Sequence, residues 1–161
     1  MEEIVYKPIG LIHTPFKDLF SVPMQSVKAR NIDGYIEIYP EYAEGLKDLD
    51  GFSHLIILFH MHEVKGFSLI VKPEIGNELR GVFSTRSPKR PNPIGFTIVK
   101  LVKIENAVIK IRGVDMLDSI PLIDVKPYIP ESDSIPRAKI GWLNNFNFLC
   151  FWFFCLRNAN L

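Results

Sequence analysis

Arg86 and Arg90 stand four residues apart in the run Arg86-Ser87-Pro88-Lys89-Arg90-Pro91-Asn92-Pro93-Ile94-Gly95. Their planar guanidinium forks suit a carboxylate, a phosphate or a stacked base. Three prolines fix φ and withhold backbone donors, and Gly95 closes the run with a permissive backbone. Flexible linkers are built instead from Gly and Ser. The run therefore reads as a stiff basic loop that holds its cations in place, the mark of a binding site.

Two other groupings could do chemistry. Asp115-x-x-Asp118 precedes an x-Pro turn, where Asp118 suits a ligand role and a structural Asx turn about equally. His60-x-His62, with His54 in the same strand, places imidazoles on one face by the period of two. Three histidines along one strand lie on too long a line to reach one ion, and no carboxylate or further His completes a tetrahedral set, so no metal is expected. Cys150 and Cys155, the only cysteines, lie in a very apolar segment and read as small buried hydrophobes.

The elements that must position these groups read as strands. Ile4 to Ile12, Tyr35 to Ile38, His54 to His60, Phe67 to Val71, Phe96 to Ile104 and Ala107 to Val114 are rich in Val, Ile, Phe and Tyr and bounded by turn residues. Gly81-Val82-Phe83 reads as a further strand leading into the basic loop. Glu105-Asn106 marks a hairpin turn, and Tyr42 to Leu49 is the one stretch with a helical period. So many short strands with so little helix predict a mainly β fold, a single-domain antiparallel barrel whose closure removes exposed edges.

Composition fits one compact domain. The chain has 161 residues, of which 47% are hydrophobic, enough for a sizeable core. Lys and Arg total 19 against 18 Asp and Glu, a net charge of +1, so contact with nucleic acid must come from local basic patches and not from general polyanion affinity. Met1-Glu2-Glu3 lacks the positive flank and apolar stretch of a signal peptide, which points to the cytoplasm. No strand is followed by a Gly-rich turn and a helix of the dinucleotide-binding kind.

The basic loop, together with Asp115-Met116-Leu117-Asp118-Ser119-Ile120-Pro121-Leu122-Ile123-Asp124-Val125-Lys126-Pro127-Tyr128, resembles the two signatures of the TrmO family, also called TsaA-like or YaeB-like. Ile9-Gly10, Thr14-Pro15, Pro23-Met24-Gln25 and Gly51-Phe52-Ser53-His54-Leu55 extend the likeness over roughly Tyr6 to Leu143. The resemblance implies an S-adenosyl-L-methionine-dependent methyltransferase acting on the exocyclic N6 amine of threonylcarbamoyl-adenosine, next to the anticodon of tRNA. It also implies a homodimer with the cofactor site near the subunit contact.

Carried over residue by residue, the cofactor positions implied are Pro23, Met24, Gln25, His62, Glu63, Arg86, Phe96, Asp118, Ser119, Ile120 and Pro121. Their types suit that role. Gln25, Glu63 and Asp118 can take polar groups, Arg86 can grip a carboxylate, and Phe96 and Met24 can cover a ring. For the acceptor, a carboxylate on an unstacked loop base matches Lys89, Arg90, Asn92, Lys126 and Tyr128 by charge and stacking face. A conjugated exocyclic nitrogen is a weak nucleophile, so a proton acceptor should help, and Asp118 or a water is the candidate catalytic group. A small barrel that binds RNA or a nucleotide without catalysis is the alternative, separated by whether S-adenosylmethionine binds.

Ser119-Ile120 stands where the family pattern has Gly-Thr. If the turn needs a positive φ at Ser119, the change costs roughly 1 kcal/mol or more, and a hydroxyl contact to the cofactor is lost at Ile120. Phe146 to Leu156 holds five of the 12 Phe residues but is too short to span a bilayer as a helix, which takes about 20 residues. Residues 1–143 are expected to form the barrel domain, and residues 144–161 a hydrophobic segment packed on it or at a dimer interface, with no membrane association.

Overall fold

The computed structural model describes residues 3–18, 21–23, 29–73 and 75–146. Among the described residues eight strands form: β1 (Gly10–His13), β2 (Asp33–Ile38), β3 (His54–His60), β4 (Ile70–Val71), β5 (Arg80–Gly81), β6 (Ile94–Glu105), β7 (Val108–Arg112) and β8 (Ile120–Pro127). Six of them close into an antiparallel barrel in the order β1-β2-β7-β6-β3-β8, and β4 pairs with β5 as a separate ribbon. The mainly β barrel expected from the sequence is the fold.

Alternation fills the barrel. Leu55, Ile57 and Phe59 of β3 and Val99 and Leu101 of β6 point inward, with Ile12, Ile36, Ile109, Ile111 and Leu122 from the other strands. The β-branched majority suits pleated strands, and each such side chain contributes about 1.5–3 kcal/mol on burial. Gly95 is required where Phe59 crosses β6, because a Cβ there would overlap the Phe59 ring. Gly95→Ala is therefore expected to cost about 1–3 kcal/mol by overpacking, seen as a lower urea midpoint with unchanged slope. The β6–β7 hairpin turns at Asn106, whose φ of 55° is a left-handed conformation that Asn tolerates.

Several elements differ from the sequence reading. Of the expected run Ile4 to Ile12 only Gly10–Ile12 pairs, extended by His13, and of Phe67 to Val71 only Ile70–Val71 pairs, with the two-residue β5. Gly81-Val82-Phe83 is not a strand: Val82–Ser84 is one 3-10 turn with Val82 buried and Phe83 exposed. The expected helix is a 3-10 segment, Pro40–Leu46, followed by another at Leu49–Gly51; neither has a fully buried residue, and Leu46 and Leu49 pack half-buried against the core. β8 is not among the expected strands, because its two prolines read as turn residues. Pro121 instead lies across from Leu11 of β1 and Pro127 ends the strand.

The chain divides into two compact units, Met1–Tyr128 and Ile129–Leu161. The first contains the whole barrel. The second contains the short helix α1 (Pro130–Asp133), whose Asp133 accepts the Ile129 amide at 2.8 Å, and a 3-10 turn at Gly141–Asn145. Residues 147–161, which hold most of the Phe146 to Leu156 segment and both cysteines, lie outside the described residues.

Candidate functional site

Because all six barrel strands are antiparallel, one end of the barrel collects the last residues of β1, β3 and β7 and the first of β2, β6 and β8. That end carries the segments with His62 and Glu63, Arg86 to Asn92, Phe96, and Asp118 to Pro121. Backbone hydrogen bonds tie the loops together: Met61 N donates to Pro93 O at 2.8 Å, Ser68 N to Lys89 O at 3.2 Å, and Asp118 N to Phe16 O at 2.8 Å.

The Thr14-Pro15 motif and the second signature are stitched to each other. Thr14 Oγ1 donates to Met116 O at 2.9 Å and accepts the Phe16 amide at 3.2 Å, while the Thr14 amide donates to Asp118 Oδ1 at 2.9 Å. Asp118 Oδ2 accepts Lys17 Nζ at 2.6 Å and Ser119 Oγ at 2.8 Å. Ser119 has φ 59°, so the turn does adopt the left-handed conformation that favours glycine. Asp118 thus fixes a strained turn at the mouth of the barrel.

These contacts bear on the role of Asp118. Its side chain is 13% exposed. Burial alone would raise its pKa, but the Lys17 ammonium, the Thr14 amide and the Ser119 hydroxyl together hold it well below the usual carboxylate range. A carboxylate so acidic and so fully engaged is poorly matched to removing a proton near neutral pH. The chemistry of its surroundings suits an anchor better than the general base expected from sequence. Because the folded pKa is depressed, the stability it contributes is present above the unfolded carboxylate value of about 3.9 and is lost as pH falls below it. Asp118→Asn should remove that acid-labile component, so the stability difference between wild type and variant shrinks from about pH 5 downward. Urea unfolding followed at several pH values checks this.

Arg86 and Phe96, on either side of the basic loop, come together. The Arg86 guanidinium carbon lies 5.6 Å from the Phe96 ring centroid, with Phe96 on the outer face of β6 and 46% exposed. His62 Nε2 lies 3.3 Å from Glu63 Oε1, and both residues follow β3. His62 is therefore not on the strand with His54 and His60, and among the described residues no three His, Cys, Asp or Glu are grouped as metal ligands. Pro23 is half-buried, whereas Met24 and Gln25 lie outside the described residues. Pro121 is half-buried in β8. Ile120 is a correction: its side chain is 4% exposed and belongs to the barrel core, so its side chain does not face a ligand.

The acceptor candidates separate. Lys89 and Asn92 are exposed in the basic loop. Arg90 braces it: Nη1 donates to Val82 O at 3.1 Å and Thr85 O at 3.0 Å, and its guanidinium lies 5.7 Å from the Phe83 ring centroid. Lys126 and Tyr128, at the far end of β8, are on the opposite side of the barrel, roughly 20 Å along the strand from Ile120. There Lys126 pairs with Asp124 at 2.7 Å and the Tyr128 amide donates to His54 O at 3.0 Å. The structure does not bring them to the basic loop.

Sequence reasoning missed a cavity of about 290 Å³ beside Asp118, lined by His13, Lys17, Gly34 and Tyr35 among others. His13 and Tyr35 face each other across β1 and β2, their rings stacked at 4.6 Å and 21°. The period of two would place both on one face, but the sequence reading ends the first strand at Ile12, one residue short of His13.

Residues 11–134 match the family described as the tRNA-methyltransferase O N-terminal domain. A probable S-adenosyl-L-methionine-binding protein of Pyrococcus abyssi is 49% identical, over 87% of this chain and 76% of its own length. The tRNA (adenine(37)-N6)-methyltransferase of Escherichia coli is 35% identical, over 88% of this chain and 65% of its own. The crystal structure of TrmO from Pseudomonas aeruginosa superposes with a TM-score of 0.74 at 34% identity, over 87% of this chain. The chain spans 62% of that solved chain, about three fifths of its length. With a matched domain running through the barrel and both signatures, this chain belongs to the TrmO N-terminal domain family.

Proposed function

We propose that this chain binds S-adenosyl-L-methionine and transfers its methyl group to the exocyclic N6 amine of adenosine in tRNA, with threonylcarbamoyl-adenosine beside the anticodon as the substrate. The observation that carries the reading is the meeting, at one barrel end, of a guanidinium laid on an aromatic ring (Arg86 on Phe96) and a turn pinned by Asp118. The relatives named for S-adenosylmethionine binding and tRNA adenine methylation support it.

The residues present fit the cofactor. Exposed Arg86 offers a fork for a carboxylate, Phe96 a ring face, Glu63 a carboxylate, and the Asp118-Ser119 turn a fixed backbone. When bound, S-adenosylmethionine supplies an electrophilic methyl group already activated by its sulfonium, so no metal is called for. The protein's part is alignment and exclusion of water. Asp118 holds the turn rigid, Arg90 holds the basic loop, and Lys89 and Asn92 stand exposed for the phosphate or carboxylate of the acceptor. The proton released from N6 passes to solvent, since Asp118 is already engaged by three donors.

The proposal includes a homodimer in the cytoplasm, where tRNA is modified. The outer face of β6 supports the dimer: Ile94, Phe96 and Ile98 are 41%, 46% and 40% exposed along one strand, an apolar stripe suited to burial against a second copy. Among the described residues no helix is long and apolar enough to cross a membrane. The test incubates the protein with S-adenosylmethionine and bulk tRNA from cells with and without the threonylcarbamoyl modification, then resolves nucleosides by mass. Methylated threonylcarbamoyl-adenosine only with modified tRNA is expected. Cofactor binding without any methylated nucleoside would leave a binding module in its place.

A further inference from the structure

The cavity beside Asp118 has a built aromatic floor. Tyr35, on the outer face of β2, is 45% exposed, and one face of its ring is covered by His13 at 4.6 Å. His13 is held from several sides: Nδ1 lies 3.6 Å from Asp118 Oδ1, and Nε2 is buried, makes no hydrogen bond and faces Glu37 at 3.5 Å. An imidazole so enclosed cannot reach a ligand through Nε2. It acts as a rigid backing that leaves the other face of Tyr35 to solvent. Behind β2, a Cβ at Gly34 would press on His13 O and Val114, so this strand lies close against its neighbours and cannot recede.

Lys17 stands at the same cavity with 72% of its side chain exposed, while its ammonium stays on Asp118. The site thus combines one open ring, one cation and a volume of about 290 Å³, at the lower limit of small-molecule pockets and too small for a whole cofactor. Three of its polar groups are already paired: Thr14 Oγ1 with Met116 and Phe16, Asp118 with three donors, Asp33 with Arg112. Edge-specific reading is therefore weak, and stacking is what remains. Every base offers a π-face, so such platforms take unpaired bases with little sequence preference.

We infer that Tyr35, backed by His13, is a stacking platform for one unpaired base of the RNA acceptor, next to the Asp118-Ser119 turn, with Lys17 beside the adjoining phosphate. The inference rests on the tRNA reading above but concerns residues that the signatures do not include. Tyr35 would be a binding residue and His13 a positioning residue.

The test measures binding of a labelled anticodon stem-loop RNA by fluorescence anisotropy, with S-adenosylmethionine affinity followed separately by calorimetry. Tyr35→Leu keeps apolar area but removes the ring, and should weaken RNA binding about tenfold or more with cofactor affinity unchanged. Tyr35→Phe and Tyr35→Trp should bind within about twofold of wild type, and His13→Ala should weaken RNA binding less than Tyr35→Leu. A folded Tyr35→Leu protein that binds RNA as wild type does would overturn the inference, as would a wild-type protein with no affinity for the stem-loop. If RNA binding depends on the ring while the protein binds no S-adenosylmethionine, the platform stands and the methyltransferase reading falls.

Discussion

Replacing Arg86 by alanine is expected to weaken S-adenosylmethionine binding by about ten- to a hundredfold while leaving the melting temperature unchanged. The magnitude follows from what a fork-shaped cation does for a carboxylate, since hydrogen bonds to charged groups contribute about 1.5–3 kcal/mol. The unchanged stability follows from its place, on a loop position where its side chain meets the exposed Phe96 ring at 5.6 Å. Phe96→Ala should cost less, roughly severalfold, because an exposed cation–π contact is worth about 0.5–1 kcal/mol. Arg86→Lys keeps the charge but loses the planar fork, and should fall between wild type and Arg86→Ala. Arg90→Ala is the control that separates the two cations of the loop. It removes the brace on Val82 O and Thr85 O, so it should lower stability as well as affinity. Calorimetric titration of the four variants decides the matter, and wild-type affinity in Arg86→Ala would remove the residue from the site.

The difference between those two arginines is not legible in the sequence, where both stand as cations in a proline-rich loop. What separates them is the 3-10 turn at Val82–Ser84, after which Val82 O and Thr85 O both accept from Arg90 Nη1. Read as a strand, that segment offers no such converging pair of acceptors, and Arg90 is left free for phosphate. Other features are readable because a single local rule fixes them. His54–His60 is an apolar run without Gly or Pro, and it forms β3 with those bounds. The turn at Asn106 and the positive φ at Ser119 follow from residue type and the signature pattern. The residues that go astray depend on long-range pairing. Lys126 and Tyr128 belong to the second signature in sequence, yet β8 carries them to the far side of the barrel. His13 and Tyr35 lie far apart in sequence and meet only because β1 and β2 pair in register. A motif shows which residues travel together along the chain; the sheet decides which of them face the same ligand.

That distinction reverses the sign of a substitution in the second signature. From sequence alone, restoring the common Gly-Thr pair at Ser119-Ile120 should relieve backbone strain and return a hydroxyl to the cofactor. The two positions are physically unlike. Ser119 is exposed with φ 59°, so Ser119→Gly removes a left-handed strain of roughly 1 kcal/mol. It also removes the Oγ donor to Asp118 Oδ2 at 2.8 Å, a neutral-to-charged hydrogen bond at an exposed site of comparable worth. The single variant should be close to neutral. Ile120 instead begins β8 opposite Ile12 and is 4% exposed within the core. Ile120→Thr loses apolar volume there and introduces a hydroxyl that needs a partner, which together should cost about 2–4 kcal/mol. The double variant is therefore expected to be less stable than wild type, with the loss coming almost wholly from position 120, and its cofactor affinity should track Ser119→Gly alone. Thermal melts and calorimetry on both single variants and the double resolve the two contributions. An Ile120→Thr protein as stable as wild type and tighter for S-adenosylmethionine would mean that residue 120 turns out of the core to meet the ligand.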